Sequence, residues 1–106
     1  MTTTDRVIEH LKACDLLRVR DHTVAKALGT SGTRLRMTLA AEGTTYATLR
    51  DAERKRRALE LLLINPRADS VLIARKTGLV QAKSAQRLFP KWFGVGMREY
   101  QRSLRA

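Results

Sequence analysis

Apolar side chains fall at helical spacing along most of the chain, and the longest such stretch lies in its middle. From Thr44 to Asn65, Leu49, Leu59, Leu62 and Leu63 recur at intervals that gather on one side of a helix. Arg50, Glu53, Arg54, Lys55, Arg56 and Arg57 occupy the remainder. No Gly or Pro interrupts this stretch before Pro66, which lacks the amide hydrogen that a continuing helix needs. Twenty-odd residues at about 1.5 Å each make a rod of roughly 30 Å, close to one turn of B-form DNA.

The segments on either side share one pattern. Thr4-Asp5 is expected to cap a first helix whose inner face carries Val7, Ile8, Leu11 and Cys14. After a loop from Val19 to His22, Thr23 is expected to cap a short helix, Val24 to Leu28, closed by Gly29. Ser31 is a good N-cap for the next helix, which runs to about Glu42 and is closed by Gly43. In it Leu35 and Leu39, four apart, face the core, which leaves Gly32, Thr33, Arg36 and Met37 on the other side. Short helix, glycine turn and capped second helix is the helix-turn-helix pattern, although the turn alone also fits an ordinary helical hairpin. Beyond the rod the pattern repeats. Asp69 or Ser70 caps a helix through Thr77, Gly78 turns the chain, and a further helix runs from about Ala82 to Phe89. Trp92-Phe93-Gly94 and a last short helix with Tyr100 follow.

The expected architecture is therefore all-α, about seven helices in a single domain spanning residues 1–106. Two helix-turn-helix subdomains, 5–43 and 66–106, are joined by the linker helix 44–65. Phe89, Trp92 and Phe93 are expected in the core rather than on a base-stacking platform, with Tyr46 and Tyr100 closing two small cores.

Charge narrows the function. The 106 residues carry 21 Lys and Arg against 10 Asp and Glu, a formal net charge of +11. Such self-repulsion is most simply explained by a polyanionic partner, and nucleic acid fits better than a membrane surface. Hydrophobic residues at 43% are enough for a helical fold, but no apolar run approaches the roughly 18 residues that cross a bilayer. The opening Met-Thr-Thr-Thr-Asp lacks the basic-then-apolar order of a signal peptide, and the lone Cys14 has no partner for an internal disulfide. A cytoplasmic, nucleoid-associated protein is expected. His10 and His22 have no Cys or carboxylate at ligand spacing, and no phosphate loop or nucleophile elbow is present. Neither catalysis, metal nor cofactor is expected.

These residues resemble a known family, the DNA-binding domain of AraC/XylS-type transcription regulators. Val24-Ala25 to Leu28-Gly29-Thr30-Ser31, then Leu35, Leu39 and Glu42-Gly43-Thr44-Thr45-Tyr46, are similar to the family's first helix-turn-helix. Arg54, Ala58, Leu61 and Leu62 resemble its linker helix. Ile73-Ala74, Gly78, Arg87, Phe89, Trp92-Phe93-Gly94 and Tyr100 resemble the second unit, and the spacing of the last five is the specific part. The likeness spans about residues 5–104 and leaves no room for an effector domain. It implies a stand-alone member of the MarA-like kind, with a fragment of a longer regulator as the alternative. Five departures matter: Val80 stands where the family places an N-cap, and Pro90 is expected to kink the second recognition helix or end it early. Gly96-Met97 replaces a frequent Ser-Pro, the run Ser70 to Ala74 is one residue shorter than the family's, and Lys55 occupies a usually apolar place on the rod.

By the resemblance, Thr33, Arg36 and Met37 read bases in the first unit, and Ala82, Lys83, Gln86 and Arg87 in the second. Arg36 suits guanine, Gln86 suits adenine, and Thr33, Met37 and Ala82 suit a thymine methyl. Lys26, Arg34, Lys76, Lys91 and Arg98 are expected on phosphates. The expected activity is sequence-specific binding of double-stranded DNA, as a monomer, in transcription regulation, with RNA polymerase as a further candidate partner. The alternative is a protein-interaction module derived from a helix-turn-helix pair, with weak or non-specific DNA binding.

Overall fold

The computed structural model describes residues 1–105, except for the side chain of Arg105, and among them it is all-helical, with seven helices and no strand. In order these are α1 (Thr3–Lys12), α2 (Asp21–Ala27), α3 (Gly32–Ala41), α4 (Tyr46–Ile64), α5 (Ser70–Thr77), α6 (Ala82–Phe93) and α7 (Met97–Arg105). The chain divides into two compact units, Met1–Glu53 and Arg54 onward, and the division falls within α4.

In the first unit, α1, α2, α3 and the start of α4 enclose Val7, Leu11, Leu16, Val24, Ala25, Leu35, Leu39 and Leu49. Tyr46 packs half-buried against this cluster. Ile8, expected inside, is 37% exposed, while Cys14 is half-buried with its thiol donating to the His10 carbonyl at 3.2 Å. Two expected caps move. Thr2, not Thr4, caps α1, since its hydroxyl accepts from the Asp5 N–H while Asp5 accepts from the Thr2 N–H, both at 3.1 Å. That leaves Thr4 free to donate its N–H and hydroxyl to Glu42 at 2.8 and 2.5 Å, which ties α1 to the end of α3. These bonds to the ionised form hold the Glu42 carboxyl below its usual range; those from Thr2 do the same for Asp5. Likewise α2 begins at Asp21 behind Arg20, and Thr23 sits inside it, its hydroxyl bonded back to the Arg20 backbone at 2.7 and 3.1 Å.

In the second unit, the end of α4 with α5, α6 and α7 encloses Ala58, Leu62, Ala68, Ile73, Ala74, Ala85, Phe89 and Trp92. Phe93 and Tyr100 stack at 4.4 Å between centroids, and Phe89 meets Tyr100 edge-on at 5.6 Å, so the aromatic residues form the core as expected. Lys55 sits 5.7 Å over the Phe93 ring in a cation–π contact. Asp69, rather than Ser70, caps α5 by accepting from the Leu72 N–H at 2.8 Å. Gln101 donates to the Ala68 carbonyl at 2.7 Å and so pins α7 to the turn before α5.

The buried line along α4 differs from the leucine pattern. Leu49, Glu53, Ala58 and Leu62 are buried, whereas Leu63 is 65% exposed. Successive residues on a helix diverge by about 100°, and here Leu62 faces inward while Leu63 turns outward. Pro90 does not end α6 early; the helix continues to Phe93. Pro90 lies exposed, so the Gln86 carbonyl that loses its partner faces the solvent side of the helix.

Candidate nucleic-acid interface

Both helix pairs are built on the same local rules. Gly29 and Gly78 take left-handed φ of 78° and 75° after α2 and α5. The N–H of the next residue then returns to a carbonyl five back: Thr30 to Ala25 and Leu79 to Ala74, each at 2.9 Å. A residue with a Cβ is disfavoured in that conformation, so glycine fixes the sharp reversal into the second helix.

That second helix presents one face to the core and one to solvent. In α3, Ser31 caps the start by accepting from the Arg34 N–H at 3.1 Å, as expected. Leu35 and Leu39 are buried. Thr33, Arg34, Arg36 and Met37 are exposed, Met37 by 69%. In α6, Ala85, Phe89 and Trp92 are buried, while Lys83, Gln86 and Arg87 are exposed. A shallow hollow of about 590 Å³ opens among Gln81, Lys83, Ser84, Gln86 and Arg87. Neither α3 nor α6 contains an Asp or Glu, so both outer faces are purely cationic and neutral.

Two expected site positions have particular surroundings, and one expected cap moves. Ala82 is half-buried, since it starts α6 on the side that turns toward the core. Lys76 is paired with Glu60 at 3.5 Å, which partly neutralises the charge offered to phosphate. Val80 is not the N-cap of α6; that place belongs to Gln81, in extended geometry (φ −124°, ψ 144°), and Gln81 makes no side-chain cap bond. The cap is missing, one residue later than expected. Lys26, Lys91 and Arg98 are exposed on α2, α6 and α7.

Sequence reasoning passed over two neighbours of these faces. Asp21 lies 3.5 Å from the Arg36 guanidinium, and Ser70 accepts from the Gln86 amide at 3.2 Å. Both contacts cross between helices, and periodicity within one helix carries no signal for them. Among the described residues, no three His, Cys, Asp or Glu converge to hold a metal, and no helix is long and apolar enough to cross a membrane.

No protein-family model matches the sequence, and no curated protein does either. Solved structures do. A crystal structure described as a DNA-binding transcriptional dual regulator from Escherichia coli K-12 superposes with a TM-score of 0.87 at 23% identity. That match covers 97% of this chain and 98% of the other. The transcriptional regulator CdpR from Pseudomonas aeruginosa is similar at 27% identity with a TM-score of 0.84. Here 94% of this chain aligns with 31% of CdpR, so the chain spans about a third of that protein. The fold of this chain is one found in transcriptional regulators.

Proposed function

We propose that the chain is an AraC/XylS-type DNA-binding domain that regulates transcription by binding double-stranded DNA at a specific sequence. In this reading α3 and α6 are recognition helices, each entering a major-groove segment, the two segments successive along one site. One observation carries it: in both units the helix after the glycine turn buries its apolar line and exposes an acid-free face of Arg, Lys, Gln and Thr. Those side chains match the donor and acceptor patterns of base edges and phosphates. The net charge of +11 and the likeness to two transcriptional regulators support the same reading. Thr33, Arg36 and Met37, with Ala82, Lys83, Gln86 and Arg87, are the base readers; Lys26, Arg34, Lys76, Lys91 and Arg98 serve phosphates. Monomeric binding, contact with RNA polymerase and a cytoplasmic location belong to the proposal through the family resemblance.

A gel-shift against random duplexes, followed by repeated selection, tests it. The proposal expects a single enriched sequence. A second reading, a protein-docking module with non-specific DNA affinity, is favoured by Val71 and Val80, 53% and 82% exposed on the second unit. It expects retention of all duplexes alike and no enrichment.

A further inference from the structure

In both units, the fifth residue of the second helix touches the first residue of the helix before it. Arg36, fifth in α3, has Nη1 3.5 Å from Oδ2 of Asp21, which opens α2. Gln86, fifth in α6, donates from Nε2 at 3.2 Å to Oγ of Ser70, which opens α5. The residue types differ at both places while the register is the same. The pairing therefore belongs to the way the two helices pack, and each unit fills it with its own chemistry. We propose that Asp21 and Ser70 are specificity-determining residues that aim Arg36 and Gln86 at base edges. The proposal rests on the DNA-reading role given to α3 and α6 above.

The chemistry suits positioning rather than stability. Asp21 is itself anchored, because its Oδ1 accepts the His22 backbone N–H at 2.8 Å and its Oδ2 is left for Arg36. The two side chains are 34% and 62% exposed, and an ion pair so open to water adds little to folding. Its effect is on direction. An unrestrained arginine serves a phosphate as readily as a base, which yields affinity without sequence choice. Asp21 on one side, with Thr33 Oγ1 3.4 Å from Nη2, restricts the guanidinium, and the carboxylate repels a phosphate that would draw it away. The remaining N–H donors can then meet guanine O6 and N7. Ser70 takes one amide N–H of Gln86 and leaves the other, with the carbonyl oxygen, for adenine. A hydroxyl accepts or donates, whereas a carboxylate only accepts, so Ser70 holds Gln86 less strictly than Asp21 holds Arg36.

Site selection and competition binding with wild type, Asp21→Ala, Ser70→Ala, Arg36→Ala and the Asp21→Ala/Arg36→Ala double variant test this. The expected result is that Asp21→Ala lowers preference on the order of tenfold at the one base position that Arg36→Ala also relaxes. Affinity for unrelated duplexes is kept or raised, and Asp21→Ala adds nothing once Arg36 is gone. Ser70→Ala produces a smaller loss at a different position. Asp21→Asn keeps shape and an acceptor while removing the charge, and it should show the same loss if the alanine variant lacks native circular dichroism. The proposal is overturned if these variants leave base preference unchanged, or weaken every duplex alike in both backgrounds. A wild type that selects no sequence overturns the DNA-reading role itself, and is seen before any variant is made.

Discussion

Gln81→Ser should stabilise the second unit by about 1 kcal/mol. Several helices begin behind a residue whose side-chain oxygen accepts an N–H of the first turn: Thr2, Ser31 and Thr45 at 3.1 Å, and Asp69 at 2.8 Å. The first of these caps has φ −80° and ψ 167°, the second −97° and 159°, the fourth −84° and 174°. Gln81 lies in the same extended basin at −124° and 144°, but its longer side chain makes no such bond. A serine there needs no backbone change to reach the N–H of Lys83, whereas that of Ser84 already donates to the Gln81 carbonyl at 3.1 Å. The gain corresponds to a rise in Tm of roughly 4–8 °C for a domain of this size. Ser31→Ala should cost the first unit a similar amount, about 1 kcal/mol, as the reciprocal control. Urea and thermal unfolding followed by circular dichroism give both values, and an unchanged slope with denaturant confines the effect to stability. Val80→Ser should be silent, because Val80 is one residue outside the cap and 82% exposed. The reasoning fails if Val80→Ser stabilises and Gln81→Ser does not, since α6 would then begin one residue earlier.

Duplex binding should weaken on the order of a thousandfold between about 50 and 200 mM salt if six or so phosphates are neutralised, and a flat response in a titration would remove nucleic acid as the main partner. Phe89→Ala should destabilise the second unit by about 3–5 kcal/mol, because its fully buried ring meets Trp92, Phe93 and Tyr100; a urea midpoint near wild type would contradict that. Glu42 is held below its ordinary value of 4.5 by the Thr4 hydroxyl and N–H, so it stabilises the fold above that pH and its contribution is lost as pH falls through the lowered value. Tm measured from neutral to acid pH should fall less steeply in Glu42→Gln than in wild type.

The number and order of helices were legible because apolar periodicity, glycine stops and Pro66 all point the same way, and the core aromatics Phe89 and Trp92 followed from their spacing. Helix starts were less so. Thr2 and Thr4 are chemically equivalent candidates, as are Asp69 and Ser70, and which one caps depends on where the chain enters the helix. The burial of Glu53 and exposure of Leu63 also lay beyond the pattern, because the packing of α4 against its neighbours decides which line of the helix faces inward. At the candidate site the outward face of α3 came from the positions of Leu35 and Leu39, and that of α6 from the family resemblance, with which the burial of Ala85 and Phe89 agrees. The Asp21 and Ser70 contacts did not, since residues 15 and 16 positions from their partners meet only when two helices pack. The early end expected at Pro90 did not occur, because Pro90 lies on the exposed side of α6, where water can bond the carbonyl left without an amide partner.

The most direct test of α3 and α6 as base readers is site selection repeated with Arg36→Ala, Arg87→Ala and Lys26→Ala. Arg36→Ala and Arg87→Ala should each cost roughly 1–3 kcal/mol on the wild-type sequence and relax preference, each in a different segment of the site. Lys26→Ala should weaken all duplexes alike and leave the selected sequence unchanged. If all three variants enrich the wild-type sequence with the same uniform loss of affinity, neither helix reads bases.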